Sequence, residues 1–114
     1  MNDLDPVFAA LANEHRREMV RRLALRPCSI SELADERGLS LPAIHKHVNA
    51  LTRAGLVTRK KVGRSNVLAL RRVPLREVQD WTSQFHPWWG TDAETLENYS
   101  PQVPEVRSTP QEEK

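Results

Sequence analysis

The sequence has one cysteine, few aromatic residues and no long run of apolar residues. A single cysteine excludes an internal disulfide framework and suits a reducing compartment. No apolar stretch approaches the roughly 20 residues that a membrane-spanning helix needs. The opening MNDLDP is acidic and lacks the apolar core of a secretory signal. We therefore expect a cytoplasmic protein without a membrane partner.

Patterns that mark catalytic sites are also missing. The sequence contains no glycine-rich phosphate loop, no H-E-x-x-H pattern and no carboxylate pair beside a nucleophile. A chain of 114 residues supports one core but hardly two. We expect one non-enzymatic domain over residues 1–99. Residues 100–114 are polar and acidic with three prolines, which predicts a disordered tail.

Charge is distributed unevenly along the chain. Residues 1–73 carry 14 Lys and Arg against 7 Asp and Glu, whereas residues 74–114 carry 3 against 8. The modest net charge of +2 therefore hides a basic first part at +7 and an acidic second part at −5. A basic region of this kind is typical of nucleic-acid binding. Of the early arginines, we interpret Arg21, Arg22 and Arg26 as a solvated helix face.

Two short helices and a glycine turn are predicted between Ser29 and Gly55. Ser29 and Glu32 form an S-x-x-E capping box at the start of the first helix, and Gly38 ends it. Ser40 caps the second helix. The second helix has apolar residues at i, i+4 and i+7, namely Ile44, Val48 and Leu51, which predicts one buried stripe.

A basic hairpin follows this helical pair. Leu56–Val62 and Val67–Leu70 are apolar, β-branched or basic, and Gly63-Arg64-Ser65-Asn66 between them has turn chemistry. A helix-turn-helix with a wing can enter a DNA major groove and contact the phosphates beside it. The predicted DNA-binding residues are Ser40, Pro42, Ala43, His45, Lys46, Asn49, Arg53, Lys60, Lys61 and Arg64.

The segment LSLPAIHKHVNALTRAGLVTRKKVGRSN resembles the winged-helix regulators of the ArsR family. The earlier segment VFAALANEHRREMVRRLA is similar to the opening helices of that family, so the resemblance covers roughly residues 6–99, a span that suits one domain. It implies a mainly α fold with a small β-hairpin, a winged helix-turn-helix that dimerises through its first and post-wing helices, and repression of nearby genes.

The segments on either side of the recognition unit supply the expected dimer contacts. Asp5 with Pro6 and then Asn13 predict two helices over residues 6–26. Pro74 predicts a post-wing helix with large apolar residues spaced 3, 4 and 3 apart. This seam either packs back on the first helix of its own chain or meets a symmetry mate, and the enrichment of tryptophan among interface anchors favours the symmetry mate. The predicted dimer-interface residues are Val7, Phe8, Leu11, Val78, Trp81, Phe85 and Trp88.

Metal sensing is not expected, although many ArsR-type proteins respond to metals. Where the family's thiolate pair lies, this chain has Ser29 and Ser31, and hydroxyls do not replace thiolates for a soft metal. Cys28 is interpreted as a small, partly buried apolar residue rather than a ligand. His47 borders the buried stripe and is predicted to be packed and hydrogen-bonded. We therefore expect no metal and no cofactor.

These observations predict a sequence-specific DNA-binding transcriptional regulator, a homodimeric repressor on a palindromic double-stranded operator. A winged helix used for protein interaction or RNA binding would give the same fold signals. The cations on the second helix and the wing favour DNA, because RNA recognition favours exposed aromatic residues for stacking. A small molecule or a protein at the surface of residues 81–89 is a candidate effector.

Overall fold

The computed structural model describes residues 3–85, 96–97 and 99. The chain divides into two compact units, Met1–Gln84 and Phe85–Lys114. The described elements, in chain order, are α1 (Asp5–Leu11), α2 (Glu14–Leu25), β1 (Cys28–Ser29), α3 (Ile30–Arg37), α4 (Leu41–Arg53), β2 (Val57–Val62), β3 (Ser65–Leu70) and α5 (Val73–Ser83). No helix in the described part of the chain reaches the length and apolarity that crossing a bilayer requires.

Helices α2, α3 and α4 begin where side-chain capping predicts. Asn13 Oδ1 accepts a hydrogen bond from the N–H three residues on, at 3.1 Å, so α2 begins directly after it. At the start of α3, Ser29 Oγ accepts from the Glu32 N–H at 3.1 Å, and Glu32 Oε1 accepts from the Ser29 N–H at 3.0 Å. This confirms the capping box. The hydrogen bond from the Ser29 backbone also lowers the pKa of the Glu32 carboxyl.

The sheet has three antiparallel strands in the order β1-β3-β2. The hairpin of β2 and β3 confirms the predicted wing, but its turn is shorter than the four residues expected. Val62 pairs with Ser65, so only Gly63 and Arg64 lie between the strands. Gly63 has a φ of +60°, as two-residue hairpin turns require. Strand β1 was missed, because two residues carry no periodic signal.

The core of the first unit lies where the helices meet the sheet. The predicted stripe of α4 is confirmed, since Ile44, Val48 and Leu51 are fully buried. They pack in one cluster with Met19 of α2 and Leu68 of β3. Val7 is only 3% exposed and belongs to this same core. Its assignment to the dimer interface stays a prediction, and a side chain this buried within its own chain has little surface left to present to a partner.

Helix α5 is shorter than predicted. The helix was expected to contain Phe85 and Trp88, but it ends at Ser83 and Phe85 follows it. The hydroxyls of Thr82 and Ser83 donate to carbonyl groups three residues back, at 3.0 and 2.8 Å. Such bonds compete with the helical ladder and favour its end. Trp88 lies outside the described residues, as does the predicted tail over residues 100–114.

Candidate nucleic-acid interface

Helices α3 and α4 form the helix-turn-helix. Gly38 takes the left-handed conformation at φ +65°, which ends α3 and redirects the chain. Ser40 Oγ then accepts from the Ala43 N–H at 3.3 Å, so the cap of α4 is confirmed. Because one face of α4 is fixed in the core, the opposite face is held towards solvent by three buried side chains rather than by a flexible loop.

The exposed face of α4 carries the predicted contact residues. Pro42, Lys46, Asn49 and Arg53 are exposed, while Ala43 and His45 are half-buried. Leu41, at the first position of α4, was missed and is 50% exposed. The first turn of α4 contains no acidic residue. This surface therefore presents small side chains, a leucine and hydrogen-bond donors, without a carboxylate that would repel phosphate.

The wing places its cations on both faces of one strand. Lys60 pairs with Val67, and Lys61 pairs with Asn66. Since successive strand residues point to opposite faces, these two lysines diverge. Both are exposed, as is Arg64 at the hairpin tip. Within the described residues the two ion pairs are Arg21 with Glu18 and Arg22 with Glu36, so the wing cations are not neutralised by a described carboxylate.

Arg59 is a site residue that the sequence analysis missed. It lies on the same face of β2 as the buried Val57, and this face packs on α4. Its Nη2 donates to Asn49 Oδ1 at 3.0 Å. The alternation of side chains along β2 is the sequence pattern that could have identified Arg59. With a period of two, Arg59 and Lys61 lie on the α4 side, and Lys60 lies on the other side.

A notch separates the wing tip from the start of α4. Its volume is about 210 Å³. Its polar lining includes Ser31, His45, Arg64 and Asn66. Hydroxyl, imidazole, guanidinium and amide donors are the groups that contact phosphate oxygens in protein–DNA interfaces. The notch thus brings predicted residues from the second helix and the wing together with the beginning of α3.

Two of the early arginines have structural roles rather than a solvated position. Arg22 donates to Glu36 Oε1 at 2.8 Å and to the carbonyl of Arg26 at 3.1 Å, so its interpretation as part of a solvated face is wrong. The side-chain hydrogen bond with Glu36 raises the pKa of Arg22. Arg16 donates to the carbonyls of Ala10 and Ala9, at 2.7 and 3.3 Å, and so ties α2 to the end of α1.

His47 lies at the junction of α2 and α4. Its Nδ1 is 3.3 Å from Arg16 Nη1, and since arginine has only donors the imidazole nitrogen accepts. Its ring centroid is 5.6 Å from that of His15, whose Nδ1 accepts from Arg37 Nη2 at 2.9 Å. Burial, and next the charge of Arg16, lower the pKa of His47. The prediction of a packed, hydrogen-bonded histidine is confirmed.

Cys28 is buried at 5% exposure, as predicted for a small apolar residue. Burial raises the pKa of its thiol, which disfavours the reactive thiolate. Among the residues that the structure describes, no three His, Cys, Asp or Glu side chains come together as a metal site would require.

Comparisons with known proteins agree with this geometry. Residues 11–60 match the family model described as a helix-turn-helix domain. The HTH-type transcriptional regulator Rv2034 of Mycobacterium tuberculosis is 38% identical over 81 residues, which cover 71% of this chain and 76% of the relative. This chain is also 30% identical in sequence to the ArsR family transcriptional regulator RHA00566. The crystal structure of that protein matches with a TM-score of 0.67, over 85% of this chain and 93% of that chain.

A further structural neighbour is the homodimeric winged helix-turn-helix DNA-binding domain of Mb0332 from Mycobacterium bovis. It is 24% identical, with a TM-score of 0.57, over 71% of this chain and 82% of that chain. This likeness adds support for the fold. Taken with the geometry of α3, α4 and the wing, the identity to RHA00566 and to Rv2034 establishes that the chain belongs to the ArsR family of winged helix-turn-helix transcriptional regulators.

Proposed function

We propose that this regulator binds double-stranded DNA at specific sequences, with α4 in the major groove and the wing along the adjacent backbone. The observation that carries the proposal is the set of exposed donors on α4 and the hairpin. Lys46 and Asn49 of α4 are exposed, as are Lys61 on the α4 side of β2 and Arg64 at the wing tip, while Lys60 is exposed on the other face of β2. No acidic residue lies in the first turn of α4.

The residues of this surface divide into two roles. We assign the charged donors to phosphates, because a cation binds the DNA backbone whatever the sequence. These residues are Lys46, Arg53, Lys60, Lys61 and Arg64. Ser40, together with Ser31 and Asn66 in the notch beside Arg64, extends the same backbone contact. Pro42, Ala43, His45 and Asn49 lie along the helix face that would meet base edges, where small side chains permit close approach and polar ones read donors and acceptors.

We further propose that the chain acts as a homodimer through α1 and α5. Phe8 of α1 and Trp81 of α5 form an edge-to-face pair with ring centroids 5.6 Å apart, yet they are 40% and 43% exposed. Large aromatic residues that remain this exposed are typical of interface anchors. Leu11 and Val78 are half-buried beside the core and would extend the patch. The homodimeric Mb0332 domain supports this assignment.

A dimer of this kind presents two α4 helices to successive major grooves. The operator should then be an imperfect palindrome with half-site centres about 10 bp, or a multiple, apart. We propose that occupancy of such a site at a promoter blocks polymerase, so that the protein represses transcription in the cytoplasm, with residues 1–99 as the working domain.

The test selects bound duplexes from a random library and then measures their affinity as salt is varied. Lys60→Ala with Lys61→Ala removes two wing charges, and the slope of log affinity against log salt should fall by about 0.9 per lost phosphate contact. Arg21→Ala with Arg26→Ala is the matched control, since it removes two exposed charges from α2 and its end. Equal, small effects of both pairs, or no enriched sequence, would overturn the proposal.

A further inference from the structure

The hydrogen bond between the wing and α4 fixes the orientation of one candidate base-reading side chain. Arg59 Nη2 lies 3.0 Å from Asn49 Oδ1. A guanidinium carries five donors and no acceptor, so the carboxamide can only turn its oxygen towards it. The Asn49 amino group, with its two N–H donors, is therefore directed away from Arg59. Both side chains are exposed, so this arrangement lies on the surface proposed to meet DNA.

This orientation changes what Asn49 can recognise. A freely rotating asparagine reads adenine through two bonds, its oxygen accepting from N6 and its amino group donating to N7. In this chain one of the two lone pairs of that oxygen already accepts from Arg59, and the guanidinium beside it competes with N6 for the acceptor side of the carboxamide. The donors of the amino group, turned away from Arg59, are then the part of Asn49 that is left for a base edge. Guanine offers two acceptors there, O6 and N7, whereas adenine offers one acceptor beside the N6 donor. A donor facing the adenine N6 group is a mismatch that disfavours adenine.

We infer that Arg59 is a positioning residue that converts Asn49 into a reader of guanine rather than adenine. The inference rests on the proposed DNA binding and adds to it the base that one position of each half-site should prefer. Arg59 acts through the bond to Asn49. It therefore differs from Lys60, which lies on the opposite face of β2.

The experiment determines base preference at each operator position by selection from random duplexes, using the full chain and four variants. Asn49→Ala identifies the position that Asn49 reads, because preference is lost there. Arg59→Gln removes the donor-only partner, since a glutamine amide can either donate or accept. Guanine-over-adenine preference at that position should fall by about tenfold. Arg59→Lys keeps a donor without an acceptor and should retain the preference for guanine.

Lys60→Gln is the matched control, because it removes one charge from the same strand without facing Asn49. It should weaken binding to all duplexes while leaving the profile of base preferences as it was. The inference is overturned if Arg59→Gln behaves like Lys60→Gln, or if the unaltered chain prefers adenine at the position that Asn49→Ala identifies. If the unaltered chain enriches no sequence, the proposed sequence-specific binding fails as well. If it enriches a sequence whose base preference does not depend on Arg59, only the role of Arg59 fails.

Discussion

The α4–wing surface and the α1–α5 surface of the same compact unit differ in their chemistry. The first is basic and polar, with Lys46, Lys60 and Arg64 exposed. The second is aromatic, and the exposed part of Phe8 and Trp81 is apolar. Cations in water are well solvated and lose little by staying exposed, whereas exposed aromatic surface is disfavoured until something covers it. The two surfaces therefore call for different partners, a polyanion and an apolar face.

The core between these surfaces ties them together. Arg16 of α2 donates both to carbonyls of α1 and to His47 of α4, so one side chain bridges the proposed dimer helix and the proposed recognition helix. The buried side of α4 packs in the cluster that also holds Val7 of α1. The proposed dimer helix and the proposed recognition helix are therefore parts of one packed unit.

The largest expected effect comes from the aromatic surface. Trp81→Ala removes the ring that packs on Phe8 and should dissociate the dimer, observed by analytical ultracentrifugation. Separate protomers bind the two half-sites independently and lose the avidity of a dimer. Affinity for the full operator should therefore fall by about a hundredfold or more. Affinity for a single half-site should remain unchanged, because Trp81 lies on α5 and away from the α4–wing surface.

Leu25→Ala is the matched control for that prediction. Leu25 is 81% exposed at the end of α2 and makes no part of the Phe8–Trp81 pair. Its truncation also removes exposed apolar surface but should leave both the assembly and DNA affinity unchanged. Light scattering that found a monomer for the unaltered chain at micromolar concentration would contradict the dimer.

A smaller effect separates stability from recognition on the polar surface. Ser40→Ala and Asn13→Ala each remove one side-chain cap, and each should lower the free energy of unfolding by about 1 kcal/mol. Only Ser40 lies on the surface proposed to bind DNA, so only Ser40→Ala should also weaken operator binding once both variants are folded. Chemical denaturation and fluorescence anisotropy measure the two quantities. A similar loss of affinity in Asn13→Ala would show that Ser40 acts through helix stability alone.

Most of the α3–α4 unit could be predicted from the sequence, because the residues that define its ends lie close together in the chain. Ser29 with Glu32, Gly38 and Ser40 each act within four residues, and the structure confirms every one of these boundaries. The missed features depend on contacts between distant segments. Strand β1 exists only because Cys28 and Ser29 pair with Leu68 and Val67.

Long-range contacts also explain the corrected side-chain assignments. Arg22 reaches Glu36 across 14 positions, and Arg59 reaches Asn49 across 10, so neither pair follows from helical spacing. Val7 was assigned to the dimer surface together with Phe8. Only the packing of α1 shows that Val7 faces the core while Phe8 stays exposed. The contact residues on α4 and the wing have the exposure that their proposed role requires, and their roles stay predictions.

The smallest effect concerns pH and the junction between the two surfaces. The pKa of His47 lies below its ordinary value of 6.5 because of burial and the neighbouring Arg16 charge. The unfolded chain therefore binds a proton more readily than the folded chain. The contribution of neutral His47 to stability is fully present above pH 6.5 and is lost as pH falls through the lower, folded-state pKa. Protonation would also remove the acceptor for Arg16 Nη1 and place two cations side by side.

Stability should accordingly decrease on acidification from about pH 7.5 to about pH 5.5. His47→Gln keeps a hydrogen-bond acceptor without titrating, so it should flatten this dependence. His45→Gln makes the same replacement two positions earlier on α4, at the proposed DNA face, and is the matched control for the change of side chain. Glu32 does not confuse the comparison, because its pKa is lowered from 4.5 and its contribution is lost only as pH falls below that value. Equal slopes for the unaltered chain and His47→Gln would show that protonation of this junction does not affect folding.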